Sequence, residues 1–232
     1  MDISYIVREL TYIDLPGIKF MLKAALVTLG LSGAAIGIGS CIGAVVGWVR
    51  TFKIVKSNLF LWGLTAIYVD VIRGTPLLLQ VYMWYYALPV LTGVETSVFL
   101  AGIGALCLYQ GAYVSEAVRA GLEAIGKTQR WAGRSLGMSY WQTMRYIVFP
   151  QAIRIIIPPF IGICLGVIKD SSLVSTIGFI ELARSAMIVG RRTLYPLPPW
   201  LLAAAIYFVI CFPISRLSQK IEKKLRKGQK GE

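Results

Sequence analysis

The stretch that first suggests chemistry is Gly121-Leu-Glu-Ala-Ile-Gly126-Lys127-Thr128, which fits the phosphate-cradling pattern GxxxxGK[ST]. In that motif backbone N–H groups wrap the phosphates, the lysine reaches the terminal ones and the hydroxyl holds magnesium. The loop must follow a buried strand and open a helix in a parallel sheet. Here it follows a long apolar run, and no α/β pattern occurs elsewhere, so we reject nucleotide binding at this segment. ATP and magnesium, if used, belong to another chain. The chain has no histidine, which removes Ser–His and Cys–His catalysis and His-based metal sites. Cys41, Cys107, Cys164 and Cys211 lie far apart inside apolar runs, form no CxxC pair, and read as small buried hydrophobes. We expect no catalytic residue, no metal site and no cofactor on this chain.

The remaining candidates are polar or small residues within apolar stretches, where polar groups are expensive and therefore functional by default. Tyr109, Gln110 and Tyr113 would face a central cavity, and Gly162 and Gly166 would leave room for a ligand. Lys169 and Asp170 would pair with each other or with neighbours, or touch a substrate, and Arg73 would pair with Asp70 or Glu116. The interruptions at Gly74-Thr75-Pro76 and Pro158-Pro159 are candidate helix breaks. Broken helices offer free backbone groups to a polar solute at mid-depth. Simple kinks relieved by neighbouring helices are the other reading.

These residues need elements to position them, and composition says which kind. The 232 residues are 56% hydrophobic and 15% charged, with a mean hydropathy of +0.68. A soluble domain carries about 25% charged residues. The net charge of +13 sits in short clusters between apolar stretches, as the positive-inside rule requires, rather than interleaved with aromatics for nucleic acid. Residues 1–15 carry Asp2, Glu9 and Asp14 and no basic leader, so we expect the first span to be retained.

A spanning helix needs about 20 apolar residues. Five candidates meet this: Ile18–Val49, Asn58–Val90 with its interruption, Ser97–Ala120, Gln151–Thr176 bent at the proline pair, and Trp200–Leu217. Basic clusters follow the first span (Arg50, Lys53, Lys56), the third (Arg119, Lys127, Arg130, Arg134, Arg145) and the fifth (Lys220, Lys223, Lys224, Arg226, Lys227, Lys230). That placement gives an external N-terminus and a cytoplasmic C-terminus. Arg184, Arg191 and Arg192 then fall outside, against the rule, where an acidic partner or a local re-entry would accommodate them. In the first span Gly33 and Gly37, and likewise Gly39, Gly43 and Gly47, recur at a spacing that lets helices approach closely in lipid. Between Arg119 and Pro150 the chain reads as two short helices joined by a glycine turn, with Ser139 capping the second at Tyr140. Such an exposed knob suits docking to another protein.

The run RAGLEAIGKTQRWAGRSLGMSYWQTMRYIVFPQAIRIIIPP, residues 119–159, resembles the permease family of bacterial ABC importers for polar amino acids, the histidine/glutamine/arginine permeases. Four ordered pieces carry the likeness over nearly the whole chain. They are Arg73-Gly74-Thr75-Pro76-Leu77 with Gln80, then Gly111-Ala112-Tyr113 with Glu116 and Arg119, then Gly137 with Pro150-Gln151-Ala152, and then Lys169-Asp170-Ser171-Ser172-Leu173-Val174-Ser175. The resemblance implies an all-α integral membrane chain of the type I importer fold, one permease domain over 1–232 with a cytoplasmic coupling loop at 121–148. It implies ATPase contact through that loop, here Arg130, Trp131, Ala132, Gly133, Arg134, Ser135, Leu136 and Gly137. It implies substrate contact near Thr75, Gln80, Tyr109, Gln110, Tyr113, Gly162, Gly166, Lys169 and Asp170. Its implied partners are an ATPase subunit dimer carrying ATP and magnesium, a second permease copy or paralogue, an extracytoplasmic amino-acid-binding protein and membrane lipid, with no nucleic acid. The implied location is the bacterial cytoplasmic membrane.

Two departures stand out. The family's EAA triplet falls on Trp131-Ala132-Gly133, without the glutamate. The Asn-Glu pair of cationic amino acid carriers falls on Gly162 and Ile163, which argues against a dedicated arginine or lysine carrier. The competing readings are an ATP-independent secondary transporter or channel, for which no inverted repeat is visible, a membrane enzyme, and a structural subunit.

Overall fold

The computed structural model describes residues 13–51 and 59–230, with the side chains of Leu59 and residues 226–230 left aside. The N-terminal stretch before residue 13, Lys53, Lys56 and Asn58 lie outside the described residues. Among the described residues eight helices follow in order: α1 (Leu15–Thr51), α2 (Leu59–Gly74), α3 (Leu77–Thr92), α4 (Val98–Glu123), α5 (Lys127–Ser135), α6 (Tyr140–Ile177), α7 (Leu182–Thr193) and α8 (Leu197–Lys230). Helices α1, α4, α6 and α8 are each long and apolar enough to cross a membrane. The α2–α3 pair brings the number to as many as five.

Physical reasons for the boundaries are local. At Pro76 the missing N–H and the clash with the preceding turn end α2. The chain re-enters a helix at a bend of 110°, so the expected interrupted span is two helices in sharply different directions. Pro158 and Pro159, by contrast, lie inside α6 without interrupting it. The helix also begins eleven residues before the expected Gln151, at Tyr140, through a π-helical turn over Met144–Val148. A preceding turn anchors that start. Ser139 Oγ accepts from Gln142 N–H at 3.3 Å while Gln142 Oε1 accepts from Ser139 N–H at 2.8 Å, a complete capping box.

The described residues form two compact units. One comprises Met1–Ile36 (described from residue 13), Pro76–Leu106 and Leu165–Ile214; the other comprises Gly37–Thr75, Cys107–Cys164 and Ser215–Glu232. The first has a core of Met21, Ala25, Leu182, Ala186, Val189 and Ala203. It buries the apolar face of α7 and leaves Arg191 and Arg192 exposed, Arg192 being ion-paired with Asp14. The second has a core of Leu122, Ile125, Met144, Val148 and Ala152.

In the second unit the glycine ladder of α1 meets α4. A Cβ on Gly39 would stand 2.7 Å from the Cys107 carbonyl oxygen, one on Gly43 2.6 Å from that of Gly111, and one on Gly47 2.5 Å from that of Ser115. Those distances are too short for any side chain, so the ladder is a backbone-to-backbone seam. Among the described residues, Gly33 and Gly37 meet no other helix within 4 Å of such a Cβ.

Candidate functional site

The α1–α4 seam sets the depth of a charged and aromatic constellation on α4. Glu116 lies about a turn beyond Tyr113, and Tyr109 is a turn before it, so the three share one side of the helix. The rings of Tyr109 and Tyr113 are 4.6 Å apart. Glu116 gathers three guanidinium groups. Arg50 Nη1 donates to its Oε2 at 3.2 Å and Arg119 Nε to the same atom at 3.1 Å, while Arg119 Nη2 donates to Oε1. Arg73 Nη1 approaches to 3.8 Å, and its guanidinium lies 5.4 Å from the centre of the Tyr113 ring. Arg119 also pairs with Glu123. Of the two carboxylates offered to Arg73 by the sequence, Glu116 is the one it meets.

Gln110 lies off that side of α4, toward Gly39 of α1. It is fully buried, its amide nitrogen 3.8 Å from Cys164 Sγ, and its Oε1 meets no donor among the described residues. Tyr68 closes the same region by donating to the Leu108 carbonyl at 2.7 Å. Thr75 is exposed and donates back to Val71. Gly162 is exposed, with nothing among the described residues within 4 Å of where a Cβ would stand. Thr75, Tyr109, Gln110, Tyr113 and Gly162 thus fall in the second unit, and Gln80, Gly166, Lys169 and Asp170 in the first.

In the first unit Gln80 is buried, and Asp170 Oδ2 stands 3.8 Å from where a Cβ on Gly166 would be. Lys169 is exposed and Asp170 half-buried, and the two make no ion pair within 4 Å. Consecutive helical residues point about 100° apart and do not face each other. The same unit holds a residue that sequence reasoning missed. Glu181 is wholly buried ahead of α7. Its Oε1 accepts from Arg184 N–H at 2.7 Å as an N-cap, and its Oε2 accepts from the Tyr207 hydroxyl at 2.9 Å. Thr28 Oγ1, which accepts from Leu182 N–H at 3.0 Å, lies 3.5 Å from the same carboxylate. Burial pushes the Glu181 carboxyl above the ordinary carboxylate range, against the opposing pull of these hydrogen bonds.

The knob between α4 and α6 keeps the expected glycine turn, but only α5 is a short helix; the second is the beginning of the long α6. Helix α5 ends in a glycine turn in which Gly137, at φ +79°, donates to Arg134 O at 3.0 Å while Met138 donates to Gly133 O at 3.1 Å. Gly133 is buried, and a Cβ there would stand 2.7 Å from Ile147 Cδ1, so glycine is what lets α5 lie against α6. Arg130 ties the start of α5 back by donating to the Leu122 carbonyl at 2.7 Å. Ala132, Arg134 and Ser135 are exposed, and so are the apolar side chains of Trp131 and Leu136, at 64% and 81%. Beside them Lys127, Arg130, Arg134, Trp131 and Tyr140 line a basic hollow of about 280 Å³.

Residues 39–227 match the family described as binding-protein-dependent transport system inner membrane component. The chain belongs to that family. It is 34% identical over 213 residues to the arginine transport system permease protein ArtQ of Bacillus subtilis, covering 91% of this chain and 95% of the relative. It is 32% identical over 212 residues to the glutamine transport system permease protein GlnP of Escherichia coli, with the same coverage. A solved amino acid ABC transporter crystallised with histidines superposes with a TM-score of 0.82 at 32% identity, covering 97% of this chain and 99% of that one. The expected all-α permease fold is therefore borne out, and the chain is a multi-pass inner-membrane transport component rather than an enzyme.

Proposed function

We propose that this chain is the transmembrane permease subunit of an ATP-driven importer of polar amino acids. It would work by alternating access, with ATP and magnesium bound by a separate ATPase. The observation that carries the proposal is α5. A helix held on Gly133, stopped at Gly137 and presenting Trp131, Arg134 and Leu136 to the outside is a docking element, in a chain whose family serves binding-protein-dependent transport. An amino acid is a zwitterion, and its bare charges cannot enter hydrocarbon without a large desolvation cost. Import therefore needs polar groups at depth and an energy source that opens them to one side at a time. The ATPase dimer would grip residues 130–137, drive this unit against a second copy or paralogue, and receive cargo from an extracytoplasmic binding protein. The N-terminus would lie outside and the C-terminus in the cytoplasm.

Relatives named for glutamine and for arginine bracket the cargo. Gly162 and Ile163 provide no carboxylate for a cationic side chain, so a neutral polar amino acid such as glutamine fits this chain better than arginine. Co-purification with the ATPase tests the coupling role. The wild type is expected to hold the ATPase through size exclusion and respond to cargo-loaded binding protein with increased hydrolysis. L136D is expected to lose at least tenfold of that response while the permease stays monodisperse. An unchanged response in L136D would move the docking site away from α5.

A further inference from the structure

Arg73 carries charge that the fold around it leaves unsatisfied. Glu116 is the carboxylate it faces, yet both oxygens of Glu116 already accept from Arg50 and Arg119. Arg73 Nη1 stops at 3.8 Å, outside hydrogen-bond reach, and its side chain is 41% exposed where that of Arg50 is 12% exposed. Among the described residues no other carboxylate lies within 4 Å of it. Three guanidinium groups against Glu116 and Glu123 leave one positive charge over. An excess cation among apolar helices calls for an anion.

The geometry also says what kind of anion. The guanidinium sits over the Tyr113 ring, which is itself packed on Tyr109. The ring holds the planar group by cation–π attraction while its N–H fork stays available. That fork matches the two oxygens of a carboxylate better than an ammonium would. Arg73 also precedes the 110° break between α2 and α3, where the chain has turned away from a continuous helix.

We propose that Arg73, seated on Tyr113, binds the α-carboxylate of the amino acid in transit. This rests on the amino acid import reading and adds to it a residue that the sequence alone offers only as half of an ion pair with Asp70 or Glu116. The α-carboxylate is common to all amino acids, so the contact selects the class and leaves side-chain choice to other positions. Because Glu116 keeps its two other arginines, the cargo's carboxylate can add to Arg73 without displacing a hydrogen bond.

The test is equilibrium binding of L-glutamine and L-glutaminamide to the complete permease–ATPase complex without binding protein, alongside ATPase stimulation by loaded binding protein. The wild type is expected to bind glutamine at least tenfold more tightly than the amide. R73Q should bring the two together, and R73K, which keeps the charge without the fork, should fall between. Y113L, which removes the seat but not the charge, should weaken the preference and serves if R73Q does not fold. Stimulated hydrolysis with no preference for the carboxylate in wild type, or an undiminished preference in R73Q, overturns the proposal and leaves import standing. Displacement of glutamine by inorganic phosphate at equal concentration overturns it in favour of an unselective anion site. A wild-type complex that no amino acid stimulates removes the import reading itself.

Discussion

Glu116 and Glu181 both sit where water is scarce, yet their neighbours differ in kind. Around Glu116, in the second unit, three arginines from α1, α2 and α4 converge on one carboxylate. Around Glu181, in the first unit, no cation comes within 4 Å among the described residues, and two hydroxyls and backbone N–H groups take its place. The first arrangement ties helices together through charge and fails if one partner is lost. The second tolerates a neutral carboxyl, because no cation is left unpaired and the Tyr207 and Thr28 hydroxyls can accept as well as donate. A chain with little charge to spend inside a membrane thus uses an ionised glutamate where a cationic surplus has to be held, and a protonatable one where only shape and capping are needed.

The seam beneath Glu116 offers the hardest way to break this contrast. Gly43→Leu would drive a side chain into the Gly111 carbonyl, whose oxygen stands 2.6 Å from a mere Cβ, and separate Arg50 from Glu116. We expect loss of more than about 3 kcal/mol, or no folded protein at all. Fluorescence-detected size exclusion after heating reads this directly; a wild-type melting profile would mean that α1 and α4 do not meet at this seam. Glu116→Gln comes next. It leaves Arg50, at 12% exposure, without a counter-charge. Breaking one side of a buried pair costs roughly 3 kcal/mol, discounted here because Glu116 retains 23% exposure. A thermal midpoint several degrees lower is expected in detergent, and restoring it with the double change E116Q/R50Q would sharpen the assignment to charge.

Glu181→Gln should have the smallest effect, and a pH-dependent one. Burial keeps the Glu181 carboxyl protonated above its ordinary value of 4.5, so the folded chain holds a proton that the unfolded chain has released. The stability it contributes is complete below that value and declines as pH rises through the raised one. Wild type should therefore lose thermal stability from acid towards neutral pH at this site, while E181Q follows a flatter profile and equals wild type at the acid end. Parallel profiles would mean that Glu181 is ionised when folded.

Much of the fold is legible in the sequence, and the reasons are physical. The five apolar stretches, the Gly39-Gly43-Gly47 seam and the Ser139 cap depend on local pattern alone, and each has a side-chain or backbone partner where the spacing puts one. The 110° turn at Pro76 was legible only as an interruption, since proline ends a helix without saying where the chain goes next. The proline pair 158–159 gives the opposite outcome, remaining inside a helix. Glu181 left no sequence signal as a buried group. It lies between two apolar elements where a solvated loop acid is the ordinary reading, and its partner Thr28 is 153 residues away. Lys169 and Asp170 looked like a pair because they are adjacent, which on a helix is what keeps them apart.

Uptake into proteoliposomes containing this chain, its ATPase and its binding protein measures energised transport most directly. With ATP at the ATPase face, labelled glutamine or another neutral polar amino acid should accumulate against its gradient, and the accumulation should vanish without ATP or with L136D. Equal uptake with and without ATP would contradict the account and make the chain an ATP-independent carrier.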